Sequence, residues 1–415
     1  MMSQEEFGTY RALVESLFNP IWLRESTPHR LRAIWRRTDK LAKVEVASLG
    51  FFIKQLQAEH RKWLADTARD IRNQAQSPHG LIFEIVTLGS LAARGMNVRP
   101  MKQHHPGYDA EVSGQDGCTL RVSIKNHDIS EQEKQFRFES ARLANIVRRR
   151  VLASGGGWQA VIRSRTHLDT DAFEEIAATL RRSPIRPGEI APHLFPRRGA
   201  SIQMRRILDP KFLPGSYTCN VTCTQTEYER ARFQKNINIA IKKLDEYSPR
   251  APGCSNVIFM RVHGSADVEE LTRYAREAIA RPDCSVDAIL LYQAVVGHKR
   301  TAQEIMYYAC DVVSPRYRGP SLKFPLQFLS GVVVTKPVGR GLFIVSGEEQ
   351  LPVDDIASEY SYQRGQLFYR LHGTGASFEL PDSFPGIEQT LVSEQPGGKV
   401  HLSQPFAEDE DLFLL

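Results

Sequence analysis

Six cysteines among 415 residues are too few for a disulfide scaffold. Only Cys219 and Cys223 lie close together. A zinc site there would need two further ligands, and Cys254, Cys284 and Cys310 are far apart and alone. Two thiols on one face of a strand is the simpler reading. No run of about 18 apolar residues exists, so no transmembrane helix is expected. The opening Met1-Met2-Ser3-Gln4-Glu5-Glu6 has neither a basic n-region nor an apolar h-region, so no signal peptide is expected and the cytoplasm is the default location. A phosphate loop of the form Gly-x-x-x-x-Gly-Lys-Ser/Thr is also missing, so an NTP-driven motor is not expected.

Charge is present but unevenly spread. The net charge is +6, yet residues 346–415 hold thirteen acidic and three basic side chains, a balance of −10. The preceding residues therefore carry +16, and residues 131–206 contribute +7 of it, fifteen Lys/Arg against eight Asp/Glu. A basic body of this kind suits a polyanion, nucleic acid being the commonest, or else is a solvated surface.

The chain divides into three stretches. Residues 1–76 read as helical, with apolar residues such as Leu41, Val44, Ala47, Phe51, Leu56, Leu64, Ala68 and Ile71 near helical spacing. This region could serve dimerisation or docking of a partner protein. Residues 77–345 read as an α/β domain with extensions. Ser77-Pro78 starts a helix running to about Arg94, with Gly95 as its stop. Strands are expected at 98–102, 108–113 and 119–126, a helix at 131–152 and a strand at 158–164, all on one central mixed sheet flanked by helices. The same style continues with strands near 201–207, 216–224, 256–262 and 286–292 and helices near 227–247 and 266–281. Residues 346–415 form an acidic, β-rich C-terminal segment. It ends in Glu408–Asp411 followed by Leu412-Phe413-Leu414-Leu415, a tail that could cover a basic groove or dock a partner.

The chemistry concentrates in residues 79–142. In Tyr108–Val112, alternation puts Tyr108, Ala110 and Val112 on the core face and Asp109 and Glu111 opposite. In the next strand Leu120, Val122 and Ile124 face the core, leaving Arg121, Ser123 and Lys125 opposite. The core faces match if paired residue numbers sum to an even value. A loop over 114–118 gives a sum of about 232, setting Asp109 across from Ser123 and Lys125 diagonally beside it. A carboxylate holding Mg²⁺ next to an ammonium that orients water is what a metal-assisted hydrolase needs. Glu84, inside the apolar run Leu81–Val86, is a second acid; a role at the helix N-terminus is the alternative. Ser130 and Glu133 form a capping box that starts the next helix at Glu131. If that helix folds back over the sheet, ~16 Å outward and ~13 Å of return bring Glu139 level with Lys125; a solvated surface glutamate is the alternative. Glu111 could be a further ligand or a partner for Arg121. His127 could meet phosphate or lie exposed, and His104-His105 precedes the acidic strand. Arg148, Arg149, Arg150, Arg181 and Arg182 read as phosphate contacts or a solvated face.

Residues 84–142 resemble the PD-(D/E)XK nuclease superfamily, which includes many restriction endonucleases. Pro106-Gly107-Tyr108-Asp109 stands for the first half of its motif and Ser123-Ile124-Lys125 for the second. The sequence departs at Ser123, where a metal-binding acid is usual. Some restriction enzymes use Ser-x-Lys and take the missing carboxylate from the following helix, about fourteen residues past the lysine, where Glu139 stands here. The resemblance implies a restriction-endonuclease-like fold. It also implies a Mg²⁺- or Mn²⁺-dependent endonuclease acting on double-stranded DNA, of the restriction or anti-phage defence kind. Glu84, Asp109, Lys125 and Glu139 would be catalytic, the three acids holding metal. Ser123, His127 and Arg148–Arg150 would contact nucleic acid. The alternative is a catalytically silent subunit that keeps the fold and holds nucleic acid or scaffolds a defence complex.

Overall fold

The computed structural model describes residues 3–74, 78–102, 107–114, 117–154, 157–182, 193–194, 200–207, 217–225, 227–299, 302–319 and 322, and beyond these only the strand segments given below. Four helices come first: α1 (Gln4–Phe18), α2 (Pro20–Arg24), α3 (Arg30–Arg36) and α4 (Lys40–Asn73). Helix α5 (His79–Ala93) leads into β1 (Asn97–Pro100), β2 (Ala110–Ser113) and β3 (Thr119–His127). Next come α6 (Glu131–Ser154), β4 (Gly157–Ser164), α7 (Thr170–Arg182), β5 (His193–Leu194), β6 (Ala200–Ile207) and β7 (Tyr217–Thr224). Helix α8 (Glu227–Tyr247), β8 (Cys254–Val262), α9 (Val268–Ile279), β9 (Val286–Lys299) and β10 (Ala302–Val313) follow. The remaining strands are β11 (Val332–Val334), β12 (Gly339–Ser346), β13 (Glu349–Asp355), β14 (Glu359–Gly365), β15 (Phe368–Gly373), β16 (Gln389–Gln395) and β17 (Gly398–Gln404). None of the described helices is long and apolar enough to cross a membrane.

The strands do not share one sheet. A mixed seven-stranded sheet has the order β1-β2-β3-β8-β9-β10-β11, and a separate five-stranded sheet has the order β14-β7-β4-β6-β5. In the first, Ala110, Val112, Leu120, Val122 and Ile124 pack with Ile82, Phe83 and Val86 of α5 and with α4. Ile258, Met260, Ile289 and Leu291 on the other face pack against α8 and α9. The central strands β3, β8 and β9 run parallel; β8 and β9 bury apolar residues on both faces, as a sheet covered on two sides requires, whereas β3 buries them on the α4 and α5 face. The second sheet carries its own core, in which Phe136, Leu143 and Val147 of α6 and Phe173 and Ile176 of α7 meet Trp158, Ile162 and Val221.

This division corrects the expectation of one central sheet. Strand β4 pairs in parallel with β7, not with β3, so α6 carries the chain away from the first sheet. The acidic C-terminal segment is not wholly separate either. Strand β14 is an edge strand of the second sheet, with Tyr360 opposite Cys223 and buried. The final Glu408–Asp411 run and Leu412–Leu415 lie outside the described residues, as do Ser77, His104 and His105. Cys219 and Cys223 are both buried in the second core, on one face of β7. Burial pushes the Cys219 thiol up to about 12, which disfavours the thiolate a zinc site would need.

The N-terminal helices are tied closely to the first sheet. Helix α5 ends as its sequence predicts, with Gly95 at φ 76° closing the last turn. A Cβ added at Gly89 would stand 2.5 Å from Phe52 Cβ and 2.8 Å from Phe52 Cα, so α5 crosses α4 at backbone contact. Gly89→Ala gains helix propensity of about 1 kcal/mol, but overpacking a close crossing costs about 1–3 kcal/mol. We expect a net loss, read as a lower melting temperature; a higher one would show that the helices part without strain.

The first residue of α5, His79, is buried, and that burial pushes its imidazole down to about 4 although Asp128 Oδ2 lies 3.1 Å away. The unfolded chain takes up the proton near 6.5, so this contribution to stability is complete above about 6.5 and is lost as pH falls toward 4, at most about 1.4 kcal/mol per unit. Urea unfolding at pH 7 and pH 5 should show a smaller loss on acidification in His79→Asn than in wild type, the opposing contribution of Glu84 being common to both. An unchanged slope in the variant would remove His79 from the account.

Candidate functional site

The β2–β3 hairpin holds the centre of the site. Its register pairs Ala110 with Val122 and Glu111 with Arg121, the pairing sum expected from the core faces. Asp109 stands in a bend just before β2, its own N–H donating to Val122 O at 2.8 Å. The bend breaks the alternation: Tyr108 packs toward α8 and α9 instead of joining Ala110 and Val112, and its hydroxyl donates to Glu111 Oε1 at 2.8 Å. Arg99 lies 3.8 Å from Glu111, whereas Arg121 donates to Pro249 O at 2.8 Å.

Asp109 is the hub. Its Oδ2 accepts from Ile124 N at 2.5 Å, from Lys125 Nζ at 3.1 Å and from Ser123 Oγ at 3.4 Å. Lys125 Nζ also donates to Ile124 O at 3.0 Å, which fixes the ammonium beside the hairpin. Asp109 and Lys125 are each about one-third exposed (30% and 29%), so the pair faces solvent and a ligand can reach it. Among the described residues the donors to Asp109 all meet Oδ2, so Oδ1 is the oxygen that would hold a cation.

Glu84 approaches from α5. Burial, then the charge of Asp109, raise its carboxyl to about 8, against the opposing pull of Lys125. The Glu84 carboxyl thus lies in the field of Asp109 and Lys125, and the positive charge near it does not offset its burial. A divalent cation would supply more. The residues present thus fit Mg²⁺ or Mn²⁺ held by Asp109 and Glu84, oxygen donors of the kind such hard ions take.

Glu139 is not brought into this group. It is buried, but on α6 in the layer of the second sheet, where Arg142 Nε lies 3.0 Å from its Oε2 and Gln135 Nε2 donates to its Oε1 at 3.2 Å. The return path that would level it with Lys125 assumed a helix folded over the first sheet, and α6 packs on the other one.

Ser123 and His127 are 1% and 2% exposed, which removes both from direct contact with nucleic acid. The serine hydroxyl serves Asp109. His127 instead joins a buried polar cluster with His263, Glu133, Ser265 and Glu229, where burial first and then His263 push its imidazole down to about 2. Sequence reasoning missed His263, Ser265 and Glu229, which stand singly in the chain with no motif spacing. On α6, Arg148 and Arg149 are exposed and free to meet a polyanion, whereas Arg150 donates to Leu180 O. Arg181 and Arg182 are exposed at the end of α7.

No protein-family model matches the sequence, and no curated protein or solved structure matches it.

Proposed function

We propose that this chain is a metal-dependent endonuclease of the PD-(D/E)XK kind, with a restriction-endonuclease-like fold, hydrolysing nucleic-acid phosphodiester bonds. The observation that carries the reading is that Asp109, in the bend before β2, pairs with Lys125 of β3 at a part-exposed point, with the buried Glu84 of α5 close enough to feel both charges. Asp109 and Glu84 would hold the Mg²⁺ or Mn²⁺. When bound, the ion polarises the scissile phosphate and acidifies an attacking water. Lys125 keeps a positive charge beside the reacting phosphoryl group, and the Ile124 N–H locks the Asp109 carboxylate in place. The basic body, with Arg148 and Arg149 exposed, supplies non-specific attraction to a polyanion such as duplex DNA.

A silent, nucleic-acid-holding subunit is the second reading. It is favoured by Ser123 in place of an acid and by the engagement of Glu139 with Arg142. The experiment separating them incubates the full chain with duplex DNA, single-stranded DNA or RNA in Mg²⁺, Mn²⁺ or EDTA. The nuclease reading requires metal-dependent cleavage that Asp109→Asn abolishes. Binding without cleavage, or cleavage unchanged in Asp109→Asn, overturns it.

A further inference from the structure

We infer that His127, His263 and Glu229 form a second metal site, for a zinc-class transition ion, at the C-terminal ends of β3 and β8. One ligand atom from each of the three lies within 4.8 Å of the others. The site uses residues separate from Glu84, Asp109 and Lys125, and so goes beyond the proposed nuclease centre. His127 ends β3 and His263 follows β8, their backbones joined where His263 N donates to His127 O at 3.0 Å. Glu229 comes from the first turn of α8.

The donors suit such an ion. Two imidazoles and one carboxylate make the mixed nitrogen and oxygen set that zinc accepts with three protein ligands. The His263 ring is already oriented through Nδ1. It is hydrogen-bonded to Ser265 Oγ, which in turn donates to Glu133 at 2.7 and 2.9 Å, whereas His127 Nδ1 accepts from Asn236 Nδ2 at 3.3 Å. A histidine held through one nitrogen by a hydroxyl or carboxylate chain presents the other as ligand. Coordination by His263 would therefore fall to its Nε2.

Glu229 supplies an independent sign. Its Oε1 accepts from Ser130 and Tyr360, but its buried Oε2 has no hydrogen-bond partner. The competing cation is Arg232, with Nε 3.9 Å away and itself without a hydrogen-bond acceptor. A tetrahedral ion about 2.0–2.1 Å from each ligand sets ligand atoms about 3.4 Å apart, so closing the site takes side-chain rotations of about an ångström. Once closed, it joins β3, β8 and α8, with Tyr360 of β14 touching the same carboxylate.

Equilibrium dialysis of the EDTA-stripped full chain against Zn²⁺, and titration with Co²⁺ followed by visible absorption, test the proposal. The expected result is one zinc per chain and an intense tetrahedral Co²⁺ band. Both should survive in Asp109→Asn. Glu229→Gln should weaken zinc binding about a hundredfold, and Ser265→Ala about ten- to a hundredfold. Circular dichroism of the stripped wild type keeps the test independent of variant folding. No zinc and no Co²⁺ band in the folded wild type, or affinity unchanged in folded Glu229→Gln, overturns it and leaves Glu229 paired with Arg232.

Discussion

Lys125→Ala should lower metal-dependent cleavage by about a hundred- to a thousandfold, the effect of removing one preorganised electrostatic group from a reacting centre. The ammonium is placed by two acceptors, Asp109 Oδ2 at 3.1 Å and Ile124 O at 3.0 Å, so its charge sits beside the carboxylate and needs no reorganisation on binding. Because Lys125 is about one-third exposed (29%), its ion pair adds only a few tenths of a kcal/mol to about 1 kcal/mol to stability, and the variant should stay folded. The loss should appear in kcat more than in KM, because the charge acts on the transition state. Glu84 should become harder to ionise, since the charge of Lys125 pulls its carboxyl down. Single-turnover cleavage in Mg²⁺ measures the effect. A rate within threefold of wild type would remove Lys125 from the chemistry.

Local features were legible in the sequence where one physical rule decides them. The hairpin register followed from matching two apolar faces, and Ala110 lies opposite Val122 as that rule requires. The span of α8, Glu227–Tyr247, and the Gly95 stop of α5 were likewise local decisions. The juxtaposition of Asp109 and Lys125 was legible for the same reason: they lie sixteen residues apart across one hairpin. What could not be read was the partner of each later strand. Strand β4 is apolar and would satisfy either sheet, and its choice of β7 depends on pairings distant in sequence. That single choice moved α6 and took Glu139 away from Lys125. Glu133 shows a local motif put to a non-local use. Its N–H takes the Ser130 cap at 2.9 Å, but its carboxylate turns to Ser265 and Arg137.

That carboxylate is where the largest change in stability is expected. Glu133 is 2% exposed, with Ser265 Oγ at 2.7 and 2.9 Å, Arg137 Nε at 3.0 Å and His263 Nδ1 at 3.8 Å. Arg137 first, then His263, hold its carboxyl down to about 2 against the opposing effect of burial. Glu133→Ala removes the anion and leaves the mostly buried Arg137 without its carboxylate partner, so a loss of about 3–5 kcal/mol is expected. At about 2–4 °C per kcal/mol that is a fall in melting temperature of about 10 °C. Glu133→Gln keeps the volume and an acceptor for Ser265 and should lose less. Adding Arg137→Met to Glu133→Ala should recover part of the loss, because the stranded cation goes with it; a double-mutant cycle in urea reads that coupling. Additive losses would mean that the ion pair carries no energy of its own and that Ser265 and His263 alone need the carboxylate.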